Sequence, residues 1–113
     1  MKADYTYISD LTKHVDIPVD GILSRKLYSD EHVKIEVFGF GAGQGLSEHT
    51  ASMPAILHII QGEVRLTLGD DPMEARSGAW VQIPPDLRHS VHAITPVVML
   101  LVMMRSAVEG SSG

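Results

Sequence analysis

The stretch GQGLSEHTASMPAILHIIQG, residues 43–62, and its counterpart GAWVQIPPDLRHSVHA, residues 78–93, decide how this chain folds. Each reads as two short strands joined by a polar or proline-bearing turn. Each also carries a histidine where a turn meets a strand, His49 in the first and His89 in the second. Short apolar runs separated by turn residues are the local signature of antiparallel pairing.

Outward from these two stretches the pattern stays β. Residues 63–68 alternate, with Val64, Leu66 and Leu68 on one face and Glu63, Arg65 and Thr67 on the other, the period of a half-buried strand. Upstream, Ile22 to Ser29 and Val33 to Phe40 are strand-like segments separated by the turn-like Asp30-Glu31. Downstream, Gly69 to Pro72 predicts a turn, Met73 to Arg76 a brief strand, and Ser77-Gly78 another turn. Ala79 to Ile83 is stopped by Pro84-Pro85-Asp86, and Ser90 to Ile94 and Val97 to Met104 close the series. Gly39, Gly41, Gly43 and Gly45 predict a tight loop that needs positive φ. No G-K-S/T and no helical period follow them, so a phosphate loop is not implied. Short strands at near-regular spacing predict an all-β antiparallel sandwich or barrel over 22–105. Residues 1–21 read as an arm packed on the barrel or on a partner subunit, with one helical turn near Ser9 to Lys13, and 106–113 as a flexible tail.

Composition narrows the function classes. The chain has 113 residues, 44% hydrophobic and 20% charged, which fits one globular domain. Nine Lys+Arg against 14 Asp+Glu give a net charge of −5 with no basic run, which argues against nucleic acid or an anionic membrane as partner. Zero Cys removes thiolate chemistry and fits a cytoplasmic setting, as does an N-terminus without a signal-peptide pattern. The apolar run 97–104 is far shorter than the ~20 residues of a spanning helix and reads as a strand buried on both faces. Six histidines remain as the main chemical resource.

The two stretches resemble the paired motifs of the cupin superfamily, small jelly-roll β-barrels (double-stranded β-helix, RmlC-like). The first family motif runs G, five residues, H-x-H, three or four residues, E, six residues, G; here Gly43, His49 and Gly62 keep that spacing, while Ala51 and Ala55 stand at the second histidine and the glutamate. The second runs G, five residues, P-x-G, two residues, H, three residues, N. Gly78, Pro84 and His89 match it, with Asp86 in the glycine place and Ala93 in the asparagine place. The resemblance implies a barrel in which three His and one Glu typically hold Fe, Mn, Ni or Zn. Of those four ligands only His49 and His89 are present here, and two imidazoles fall short of the three protein ligands of a catalytic metal site.

Strand parity sorts the remaining candidates. With position 55 facing inward, Leu57 faces inward and His58 outward; His58 becomes a ligand only if a bulge swaps the faces. With His89 inward, Val91 follows and His92 does not. The predicted pocket is therefore His49, Ala51, Ala55, Leu57, His89 and Val91, with Gln82 as a polar group in the otherwise apolar run 80–83. Met53, Met73, Met99, Met103 and Met104 read as core fillers or as a pliable pocket wall. Three function classes follow: a binding module for a small organic ligand with His49 and His89 at its polar end, a metal-dependent dioxygenase or isomerase holding a divalent ion with an incomplete ligand set, or a structural dimer with no pocket chemistry. The two-faced apolar strand 97–104, with Ile56, His58 and Ile60, predicts a homodimer through sheet packing.

Overall fold

The alternation read in residues 63–68 sets the geometry of the interior. Val64 and Leu66 are 0% and 3% exposed, while Arg65 between them faces solvent. The computed structural model describes residues 3–105 and contains nine strands. These are β1 (Ile22–Ser29), β2 (Val33–Phe40), β3 (Gly45–His49), β4 (Ala55–Gln61), β5 (Glu63–Leu68), β6 (Asp71–Arg76), β7 (Trp80–Ile83), β8 (His89–Ala93) and β9 (Val97–Met104). All pairings are antiparallel, in a five-stranded sheet ordered β1-β2-β9-β4-β7 and a four-stranded sheet ordered β3-β8-β5-β6. The sheets face each other as a jelly-roll barrel, and Phe40, Leu57, Ile59, Val64, Leu66 and Met99 fill the space between them. Among the described residues no helix is long and apolar enough to cross a membrane.

The N-terminal segment lies on this chain's own barrel. A single 3₁₀ turn, Leu11–Lys13, is capped by Asp10, whose carboxylate accepts from Thr12 N at 3.0 Å. Val15 then packs with Val37 and Val98 on the outer face of the five-stranded sheet, with Ile17, Leu27 and Ile60 around them. This explains why Val98, on the outer side of β9, is apolar. Part of that side is covered by the arm.

Two readings of the sequence change here. The glycines of residues 39–45 are not mainly a positive-φ loop: among them only Gly43 has such a backbone, at φ 84°. Gly39 lies inside β2, and a Cβ there would meet Asp16 O at 2.9 Å, so its role is to let the arm approach. The turn predicted through Pro72 ends earlier, because Asp71 and Pro72 already belong to β6, opposite Leu68 and Thr67. Proline is tolerated because β6 is an edge strand with a free side. The tail 106–113 lies outside the described residues.

The β1–β2 turn is fastened by Asp30. Its carboxylate accepts from the Tyr28 hydroxyl at 2.7 Å and from the backbone N–H groups of Val33 and His32 at 2.9 and 2.7 Å. Those donors, the Tyr28 hydroxyl foremost, hold its pKa at about 2.

Candidate functional site

His49 reaches the barrel interior through an irregularity in β3. Leu46 is in register with Val91, and His49 with His89. Between these pairs β3 advances three residues while β8 advances two, so β3 carries one extra residue, a bulge at Ser47-Glu48. With regular pairing Glu48 would stand opposite His89, and His49 would turn to the outside. The bulge reverses that. The outward Glu48 instead contacts Arg88 at 3.5 Å, and Arg88 also binds Asp70 at 2.9 Å. Asp70, then Glu48, raise the Arg88 pKa, but all three side chains are exposed, so the brace is weak.

His89 enters from the other stretch. The turn Pro84-Pro85-Asp86 puts Asp86 in the left-handed region at φ 67°. That is the position at which the similar motif carries glycine, and aspartate is among the few side chains that tolerate it. Asp86 N donates to Ala51 O at 2.8 Å, which ties the turn before His89 to the loop after His49.

The two imidazoles therefore lie side by side, with ring centroids 4.2 Å apart and planes inclined by 60°. His89 is 9% exposed, while His49 is on the solvent side. Each ring is anchored in the same way. His49 Nδ1 is 2.7 Å from Ser47 O, and His89 Nδ1 is 2.9 Å from Leu87 O. A carbonyl can only accept, so both Nδ1 atoms carry hydrogen, and each neutral ring keeps its lone pair on Nε2. In their neutral forms the two rings thus offer two hydrogen-bond acceptors at the end of the cavity that both line.

The rest of the cavity is apolar. It measures about 230 Å³ and is lined by His49, Ala51, Ala55, Leu57, His89 and Val91, with Phe38, Leu46, Met53, Ile83, Pro84, Met99, Leu101 and Met103. Gln82 is corrected by the structure. It lies opposite Ile56 on the outer face of β7, and its neighbour Ile83 faces the cavity instead. His58 pairs with Trp80 and Leu100 on the outer side of β4, and His92 is exposed on β8, so neither lines the cavity. Sequence reasoning missed Phe38, Leu46, Ile83, Pro84 and Leu101 in the wall, because their facing is set by pairing between strands rather than within one stretch. Phe38 lies opposite Met99 in β2–β9, and Leu101 shares the inward parity of Met99.

A divalent ion is a poor fit to these residues. Among the described residues no group of three His, Cys, Asp or Glu side chains converges, and Ala51 and Ala55 offer no donor where the resemblance would place ligands. Two aligned imidazoles remain, which is fewer than a catalytic site uses.

A family model for the cupin domain matches residues 36–103. No curated protein matches the chain significantly. Among solved structures it is similar to the conserved protein SPY1581 of unknown function from Streptococcus pyogenes, at 27% identity and TM-score 0.82, covering 92% of this chain and 91% of that one. A cupin superfamily protein from Desulfitobacterium hafniense is 19% identical with TM-score 0.82, covering 94% and 100%. An RmlC-like cupin from Shewanella frigidimarina is 15% identical with TM-score 0.74, covering 84% and 85%.

Proposed function

The chain belongs to the cupin domain family, and from that premise we propose that its barrel binds a small organic molecule with an apolar body and a hydroxyl group. The hydroxyl donates its one proton to Nε2 of either His49 or His89. The observation that carries this reading is the matched anchoring of the two rings, Nδ1 on a backbone carbonyl two residues upstream in each case. It makes the polar end of the cavity an acceptor pair rather than a donor pair. At about 230 Å³ the cavity is smaller than the roughly 300–1,000 Å³ of drug-sized sites, which favours a single ring or a short branched chain.

Phenol and anisole test it, because they differ in the donor and little in shape. Followed by the ring-proton NMR signals of His49 and His89, phenol is expected to bind about two- to tenfold more tightly, the worth of one net hydrogen bond. Equal affinities, or a preference for anisole, would remove the acceptor-pair reading.

A second reading has a specific observation behind it. A metal-bound imidazole commonly donates its other N–H to a carbonyl, as both rings do here. If the protein is a metal-dependent enzyme, calorimetric titration with Zn²⁺, Ni²⁺, Mn²⁺ and Fe²⁺ gives stoichiometric binding that His49→Ala abolishes. Our proposal expects only weak binding.

We also retain a homodimer in this reading. Ile35, Leu100, Val102 and Ile56 lie on the outer side of the five-stranded sheet, and none carries charge. Sedimentation velocity of Val102→Arg, against the unaltered chain, should show a dimer converted to a monomer. A monomer in both ends that part of the proposal.

A further inference from the structure

A second cavity opens where the two sheets part. β6 and β7 are the free edges of the four-stranded and five-stranded sheets. Between them lies a space of about 380 Å³, larger than the histidine cavity and sharing only Leu57 with it. Leu57 and Leu66, 5% and 3% exposed, form its floor, Ala75 and Ala79 its sides, and Met73 and Trp80 its rim. We propose that this seam cavity is a binding site for a planar aromatic molecule of one or two rings carrying an acidic substituent.

Three observations converge on that ligand. The volume falls in the range of small-molecule sites, whereas packed interiors rarely leave voids much larger than a water. Met73 and Trp80 are 39% and 61% exposed, and Trp80 is the chain's one tryptophan. An indole and a thioether left uncovered at one opening are the two side chains that best hold an aromatic ring, by stacking and by sulfur contact. The charge at the rim supplies the third. Glu74 is engaged by Arg65 at 3.0 Å, while Arg76, opposite Glu63 on the outer side of β6, makes no ion pair among the described residues and borders the same space. Since Glu63 does not hold it, its guanidinium can turn over the edge of β6 to a ligand carboxylate at the rim. Ala75, inward on β6 opposite Val64, keeps the space open by being small.

The single tryptophan makes the site readable. Protein labelled with 5-fluorotryptophan gives one ¹⁹F signal, and 2-naphthoate is the probe. The signal is expected to move saturably with Kd below about 1 mM, while the ring protons of His49 and His89 stay in place. Ala75→Leu, which fills the space, should weaken binding by roughly tenfold or more, with circular dichroism checking its fold. In the unaltered protein, NOEs from the probe to the Met73 and Ala75 methyl groups locate the bound ring without a substitution. The proposal is overturned if Trp80 shows no saturable shift up to about 10 mM, if the NOEs are absent, if folded Ala75→Leu binds as well as the parent, or if the histidine signals respond instead.

Discussion

Deleting Ser47 isolates what the β3 bulge does. A deletion inside a strand ordinarily flips every following side chain to the other face. Here it removes the extra residue, so Leu46 stays opposite Val91, Glu48 moves opposite Ser90, and His49 remains opposite His89. The ring should therefore stay in the cavity. What disappears is the bulge carbonyl, Ser47 O, that accepts from His49 Nδ1 at 2.7 Å. His49 is then free to move its proton to Nε2, and one of the two acceptors facing the ligand is lost part of the time. The hydroxyl's single proton can still go to His89 Nε2, so phenol affinity should fall by no more than about twofold. Stability should change by less than about 1 kcal/mol, because the bulge sits on an exposed edge strand and only the weak Glu48–Arg88 contact is disturbed. The assays are an NOE between the His49 and His89 rings, a phenol titration and urea denaturation. A lost ring-to-ring NOE would show that His49 had turned out and the register reasoning was wrong. A His49 ring that keeps its proton on Nδ1 in long-range ¹H–¹⁵N spectra would show that the Ser47 carbonyl does not set it.

Three further outcomes can be checked on the same protein. Leu66→Ala truncates a side chain that is 3% exposed between the sheets and should cost about 2–5 kcal/mol in urea denaturation; a loss under about half a kcal/mol would contradict its place in the core. Asp86→Val puts a β-branched residue at φ 67° and should be about 1–2 kcal/mol less stable than Asp86→Asn, which tolerates that backbone; equal stabilities would mean the turn relaxes. Asp30 has a folded pKa of about 2 against an ordinary 3.8, so its stabilisation is complete above pH 3.8 and lost as pH falls toward 2. Asp30→Asn should flatten the stability profile in that window, and an unaltered profile would show that the Tyr28 and backbone donors do not matter there.

Most of the fold was legible because its rules are local. Clean alternation in residues 63–68 fixes which side chains face inward, and proline, glycine and aspartate mark where strands stop. Motif spacing brought His49 and His89 into one region although they are forty positions apart. What the sequence hid depends on partners elsewhere in the chain. A bulge leaves no local trace, since Leu46 and His49 share a face only through their register with β8. Residues 80–83 are nearly all apolar, so their parity is set by pairing with β4, and Gln82 faces away from the cavity it was expected to line. The glycines at 39 and 41 answer to an arm that packs from twenty residues upstream, where a Cβ at either would strike the backbone of Asp16 or Val19. The seam cavity is likewise a property of two sheet edges, and no single stretch announces it.

The proposed ligand binding at the histidine end requires that, with the rings neutral, Nε2 of both His49 and His89 carries no proton. Long-range ¹H–¹⁵N correlation spectra of the unaltered protein above pH 8 read the proton on each ring directly. The expected result is Nδ1–H for both His49 and His89, with Nε2 unprotonated. Nε2–H on either ring would contradict it.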